Sequence, residues 1–281
     1  MSSLRLNLVF VTVLVTTVFG GCRIEDKFIF HPDPVSARDP SHVGLSFENI
    51  LFNTQDDIRL HGWFIPHQEA RATLVWFHGN AGNISDRLLN IKLLHDRIKI
   101  NIFIFDYRGY GQSEGTASEK GTYLDGAAAI KYLLGRDDAA ARQLILFGRS
   151  LGAAVAAEMA IRFTSLGLIL ESPFVSIREM AQALFPSLPI AWLLRTRYDT
   201  LEKVRRVKAP IMVLHGDHDA TVPFAQGKRV FEVAPQPKRF YRIVGASHND
   251  TFVVGGEEYY GALREFIESA LPAHRDTDRP S

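Results

Sequence analysis

The sequence predicts an α/β domain: a mostly parallel, doubly wound sheet that opens with an antiparallel hairpin and carries a short cap insert. Three observations lead there. Short apolar runs alternate with helical stretches along most of the chain, the pattern of a parallel sheet covered by helices on both faces. Two strand-like runs near the start, 45–54 and 58–65, flank the polar Gln55-Asp56-Asp57, which marks a hairpin. Finally, Asn80, Asp106, Ser150, Glu171, Asp219 and His248 all fall at the carboxyl ends of predicted strands, where such sheets collect their ligands.

Residues 1–21 read as a signal peptide. Arg5 precedes an apolar run over 6–19, shorter than the roughly 20 residues of a membrane span. The run ends in Phe19-Gly20-Gly21-Cys22, and Cys22 is the sole cysteine. Small residues followed by cysteine resemble a bacterial lipobox, so Cys22 is the candidate lipidation site; the alternative is an uncleaved N-terminal anchor with an incidental thiol. One cysteine leaves no disulfide framework and no spare thiol for catalysis.

Residues 22–42 are polar and proline-bearing and read as a tether or loop; the domain proper spans 43–272. After the hairpin, 73–77 is an apolar strand running into His78-Gly79-Asn80-Ala81-Gly82-Asn83. An amphipathic helix over 85–97 and a strand over 102–105 follow, then a helix over 122–134. The apolar run from Leu144 to Phe147 and the small-residue stretch after Ser150 make a strand and a closely packed helix. A strand over 166–170 leads into the cap insert, 173–206, where prolines interrupt apolar residues. The sheet resumes at 210–215, with a helix over 225–233, a last strand over 239–244 and a closing helix over 257–271. Residues 273–281 form a flexible tail.

The chain has 281 residues, 46% of them hydrophobic, and a net charge of +1. That suits one sizeable domain and gives no electrostatic footprint for nucleic acid.

The chemistry centres on Gly148-Arg149-Ser150-Leu151-Gly152, a Gly-x-Ser-x-Gly between a strand and a helix, the setting of a nucleophile elbow. Side chains at 148 or 152 would collide with the serine at so sharp a turn. A second copy, Gly111-Gln112-Ser113-Glu114-Gly115, has neither strand before it nor helix directly after it, so Ser113 is read as a loop residue. A serine hydroxyl needs a base, and the base a carboxylate. With the chain order Ser, acid, His, only His215, His218, His248 and His274 qualify as the base. His274 is in the tail and His215 on a buried strand end, which leaves His248. Asp219 is the preferred acid because it lies beyond the His215-Gly216 turn; Glu171 is the runner-up, and Asp217 is expected to cap the turn.

The N–H groups of Leu151 and Asn80 are the candidate oxyanion-hole donors. Asp106-Tyr107-Arg108 suits an internal brace better than a substrate clamp. For Arg149, a substrate carboxylate and an acid at the strand ends are both suitable partners. Phe185 and Trp192, with Leu188, Ile190 and Leu193, are candidates for an acyl-binding wall, a bilayer contact or plain helix packing. His215 and His218 beside two aspartates do not make a tetrahedral ligand set, and His-Glu-x-x-His is absent, so no metal and no cofactor are expected.

Phe77 to Asn83, Asp106 to Ser113, Gly148 to Gly152, His215 to Asp219 and the final Ser247-His248 together resemble the α/β-hydrolase superfamily. They are most similar to the branch of membrane-tethered abhydrolase-domain proteins that includes protein depalmitoylases, as is Phe28-Ile29-Phe30-His31-Pro32. The resemblance spans residues 28–271. It implies an α/β-hydrolase fold, a triad of Ser150, Asp219 and His248, and an oxyanion hole from Asn80 and Leu151. Substrate does not carry over, because one scaffold hosts many chemistries. The expectation is a cell-envelope serine hydrolase acting on esters or thioesters of a small-molecule or acyl substrate, membrane-associated through its N-terminus. A peptidase or amidase of the same mechanism and a non-catalytic hydrolase-like binding protein are the alternatives.

Overall fold

The structure, a computed structural model, describes residues 24–184 and 194–272. Eight strands form one sheet: β1 (Glu48–Asn53), β2 (Arg59–Ile65), β3 (Thr73–Phe77), β4 (Asn101–Phe105), β5 (Leu144–Arg149), β6 (Gly167–Glu171), β7 (Ile211–Gly216) and β8 (Lys238–Ile243). Their spatial order is β8-β7-β6-β5-β3-β4-β2-β1. The β1–β2 and β2–β4 pairs are antiparallel and every other pair in this sheet is parallel. The hairpin turn is closed by Thr54 N–H to the Ile58 carbonyl at 2.9 Å. The expected α/β-hydrolase fold is present.

A two-residue period divides the core. Val75, Phe77, Phe103, Phe105, Leu146, Leu168, Leu170 and Val213 face one apolar layer. Leu74, Trp76, Ile102, Ile104, Ile145, Phe147, Ile169 and Met212 face the other. Successive side chains of a strand point to opposite faces, and with both faces covered each strand reads as uninterrupted apolar sequence. The first layer is closed by helices that include α3 (Glu119–Leu134) and α4 (Leu151–Arg162), the second by α2 (Leu88–Ile98) and α9 (Gly256–Ala270). Ser118 caps α3 through its side chain, accepting from the Gly121 N–H, one of the donors a helix start leaves unpaired.

One region differs from the sequence reading. The expected tether contains α1 (Ile24–Ile29), and its continuation His31–Pro32 pairs in parallel with Ala81–Gly82. Phe30 is buried in the first layer with its ring 6.3 Å from that of Tyr198. One well-placed aromatic and a few backbone bonds dock a segment whose composition is that of a linker. In the cap insert the described residues form α5 (Ile177–Leu184) and α6 (Thr200–Val204); α5 buries none of its side chains. α7 (Phe224–Val233) follows β7, and α8 (Thr251–Val254) follows β8.

Candidate active site

Ser150 stands between β5 and α4 with φ 54° and ψ −118°. A non-glycine residue at positive φ is strained, and the surrounding structure must hold it there. The flanking glycines supply that hold, for a reason other than a clash with the serine. A Cβ on Gly148 would lie 2.4 Å from the Gly152 carbonyl oxygen and 2.7 Å from the Ala156 Cβ. One on Gly152 would lie 1.9 Å from the Phe77 carbonyl oxygen. Glycine therefore lets α4 approach both β5 and the end of β3, which fixes the turn between them.

Beyond β7 and β8, the Nδ1–H of His248 donates to Asp219 Oδ2 at 2.7 Å. That bond sets the tautomer: Nδ1 carries the proton, and Nε2 is free to accept one. The other oxygen, Oδ1, accepts the backbone N–H groups of Thr221 (2.9 Å) and Val222 (2.8 Å). His215, fully buried, lies 3.3 Å from Asp219 Oδ2 while donating from Nε2 to the Val222 carbonyl at 3.0 Å. Burial pushes the Asp219 carboxyl up, but His215, His248 and the backbone donors outweigh it and hold it well below the usual carboxylate range. It stays ionised beside the imidazole. The Ser150 hydroxyl makes no hydrogen bond among the described residues.

Glu171 and Asp217 have other partners. The Glu171 carboxylate is fully buried and accepts from Thr251 Oγ1 (2.7 Å) and the Tyr259 hydroxyl (2.5 Å). Arg149 Nε lies 3.0 Å from it, an ion pair in which the N–H is not aimed at the oxygen. Asp217 accepts from Arg242 and from the Gly245 N–H, as a turn-capping residue does. Arg149 thus meets a strand-end acid. Its Nη2 also donates to the His248 carbonyl and, at 3.1 Å, to Asn249 Oδ1. The neighbour of Ser150 in sequence is therefore bonded to the loop that carries His248.

The loop after β3 closes the site on its other side. A Cβ on Gly79 would sit 3.6 Å from the Ser150 Cβ, so this loop passes directly against the elbow. Neither the Asn80 N–H nor the Leu151 N–H donates to an acceptor among the described residues, and Leu151 opens α4, where the helix dipole favours negative charge. His78 Nδ1–H donates to the Gly79 carbonyl at 2.7 Å. Its ring is fully buried against Tyr107 and Tyr110, and burial pushes its pKa down to about 3.

Ser113 is structural: its hydroxyl donates to the Asp106 carbonyl at 2.7 Å and accepts the His61 N–H at 3.0 Å. Arg108 braces the fold by bonding Asp125 through Nε (2.8 Å) and Asp56 through Nη1 (2.8 Å) and Nη2 (3.0 Å). Phe185, Trp192 and Cys22 lie outside the described residues. The sequence reading missed the contact of His215 with the acid and the Thr251–Tyr259 pair on Glu171. The first has a local signal, since His215 and Asp219 are four residues apart around one tight turn. The second joins residues 80 and 88 positions apart and has none.

Residues 68–202 match the Hydrolase_4 family, described as serine aminopeptidase, S33. The chain is 34% identical over 245 residues to an uncharacterized protein of Mycobacterium tuberculosis, covering 86% of this chain and 87% of that one. It is also 34% identical over 259 residues to the Arabidopsis thaliana alpha/beta hydrolase domain-containing protein WAV2, covering 85% and 84%. Among solved structures, Pyrococcus furiosus esterase Pf2001 superposes with a TM-score of 0.72 at 21% identity, over 85% of this chain and 98% of that one. Sheet order, elbow and sequence relatives agree, and the chain belongs to the α/β-hydrolase superfamily.

Proposed function

We propose that this protein is a serine hydrolase that cleaves carboxylic esters or thioesters through an acyl-enzyme, with Ser150, His248 and Asp219 as its triad. The observation that carries this reading is the 2.7 Å bond from His248 Nδ1 to Asp219, which leaves Nε2 as the basic atom. His248 Nε2 takes the Ser150 proton as Oγ attacks the substrate carbonyl carbon. The carbonyl π pair moves onto oxygen, where the N–H groups of Asn80 and Leu151 stabilise it. The tetrahedral intermediate collapses, the C–O or C–S bond breaks, and the leaving alcohol or thiol departs with the proton held on Nε2. Water then attacks the acyl-enzyme, gives a proton through His248 back to Ser150, and releases the carboxylic acid. Anchoring at Cys22 would place this chemistry at a membrane surface in the cell envelope.

A fluorophosphonate probe tests the reading. Labelling is expected to vanish in Ser150→Ala and to survive in Ser113→Ala, and the labelled band is expected to leave the membrane fraction in Cys22→Ser. No labelling of the folded wild-type protein would instead favour a non-catalytic binding protein. A peptidase is the second reading, favoured by the description of the matched family as serine aminopeptidase. Nitrophenyl esters against aminoacyl amides separate the two, and faster turnover of the amides would replace the ester assignment.

A further inference from the structure

We propose that residues 29–33 are a strap that positions the oxyanion loop, acting through the side chains of Asn80 and Tyr110; this rests on Ser150 being the nucleophile. The Asn80 amide is used from both ends. Its Nδ2 donates to the Ile29 carbonyl, and its Oδ1 accepts the His31 N–H at 3.3 Å and the Tyr110 hydroxyl at 2.9 Å. The strap continues along the loop, with His31 and Pro32 in register with Ala81 and Gly82. Asp33 N–H donates to the Gly82 carbonyl at 3.3 Å, and the Asp33 carbonyl accepts from Gly111 N–H (2.9 Å) and Asn83 Nδ2 (3.0 Å). Upstream, Glu25 accepts the Arg195 N–H at 3.0 Å and the Thr196 N–H at 3.1 Å.

The peptide that matters is Gly79–Asn80. Its carbonyl is held by His78 Nδ1. In a trans peptide the C=O and N–H vectors oppose each other, so the Asn80 N–H is directed away from His78. That leaves one remaining degree of freedom, the tilt of the plane, and the Asn80 side chain fixes it from the strap. Every residue type except proline offers the same N–H at position 80, so replacing this side chain changes where the donor sits and not whether it exists. Asparagine suits the task because one flat group supplies the donor for Ile29 and the acceptor for His31 and Tyr110. Asn80 has two separate jobs: its backbone N–H stabilises the oxyanion, and its side chain is a positioning group.

The test uses full-length protein carrying Asn80→Ala, Asn80→Asp or Tyr110→Phe. For each, kcat and KM are measured on a nitrophenyl ester, together with the inhibition constant of an alkylboronic acid, which forms a tetrahedral adduct on an active serine. Asn80→Ala is expected to lower kcat roughly 10- to 100-fold, the scale of a donor displaced by about 1 Å. KM should hold within about twofold, and boronate affinity should fall by the same factor as kcat. Tyr110→Phe, which removes one hydroxyl and keeps the ring, should give a smaller loss with the same pattern, and Asn80→Asp should fall between. Unchanged kcat and boronate affinity in Asn80→Ala would overturn the proposal. Should that variant not fold, wild-type values in Tyr110→Phe would do so. A wild-type protein that shows no Ser150-dependent labelling fails the underlying reading itself; Ser150-dependent turnover insensitive to Asn80 and Tyr110 fails the strap alone.

Discussion

Gly152→Ala is the sharpest probe of how the elbow and the oxyanion loop are joined. The added Cβ would sit 1.9 Å from the Phe77 carbonyl oxygen and 2.5 Å from that of His78. A carbon–oxygen contact settles at about 3.3 Å, so one side must retreat by roughly 1.4 Å. The helix cannot do so cheaply, because α4 is packed through Ala156 on Gly148 and interiors are close-packed. The end of β3 leads directly into Gly79 and Asn80, so any retreat on that side moves the Asn80 N–H relative to Ser150. The expected outcome is a loss of about 100-fold in kcat from a displaced donor, with only about 1–3 kcal/mol of stability lost to overpacking. Ester turnover and urea unfolding measure the two separately. Full kcat in a folded Gly152→Ala protein would refute the coupling of α4 to the loop.

The acid assignment is tested by a pair of variants. Asp219→Asn should cost about 10⁴-fold in kcat by disturbing the His248 tautomer. Glu171→Gln should leave kcat far less affected while destabilising the fold by about 3–5 kcal/mol, because it strands the buried Arg149 charge; equal kcat losses in the two would contradict the assignment. His78 predicts acid lability. Its folded pKa of about 3 lies below the free value of about 6.5, so its stabilisation is present above pH 6.5 and lost as pH falls toward 3. The slope is at most about 1.4 kcal/mol per pH unit. Urea midpoints across that window should flatten in His78→Asn, and parallel profiles for variant and wild type would contradict it.

Much of the frame is readable from local pattern alone. The period-two division of strands such as Leu74 to Phe77 gives the sheet, and the strand-to-helix setting of Ser150 separates it from Ser113. Asp219 is legible as far as the turn that carries it past β7. What escapes are contacts that no local pattern encodes. Residues 24–33 have the composition of a linker and are fixed by Phe30 in the core and by backbone bonds to Asn80 and Gly82. From sequence, a substrate carboxylate and a strand-end acid suit Arg149 equally, and only the fold places Glu171 3.0 Å away. The motif makes the two glycines legible but not the neighbour that requires the second, because the carbonyl of Phe77 is 75 positions from Gly152.

The placement of α1 also limits how far the protein can move from an anchor. One residue, Arg23, lies between Cys22 and Ile24, and α1 is six residues long. At about 3.6 Å per extended residue and 1.5 Å per helical one, a lipid on that thiol would keep Ile29, and with it Asn80, within roughly 20 Å of the headgroups. A domain of this size is about twice that across. A lipid at Cys22 would therefore hold the loop of Asn80, and the Ser150 elbow it passes against, near the membrane surface, and would favour acyl groups presented by the same leaflet over esters diffusing past.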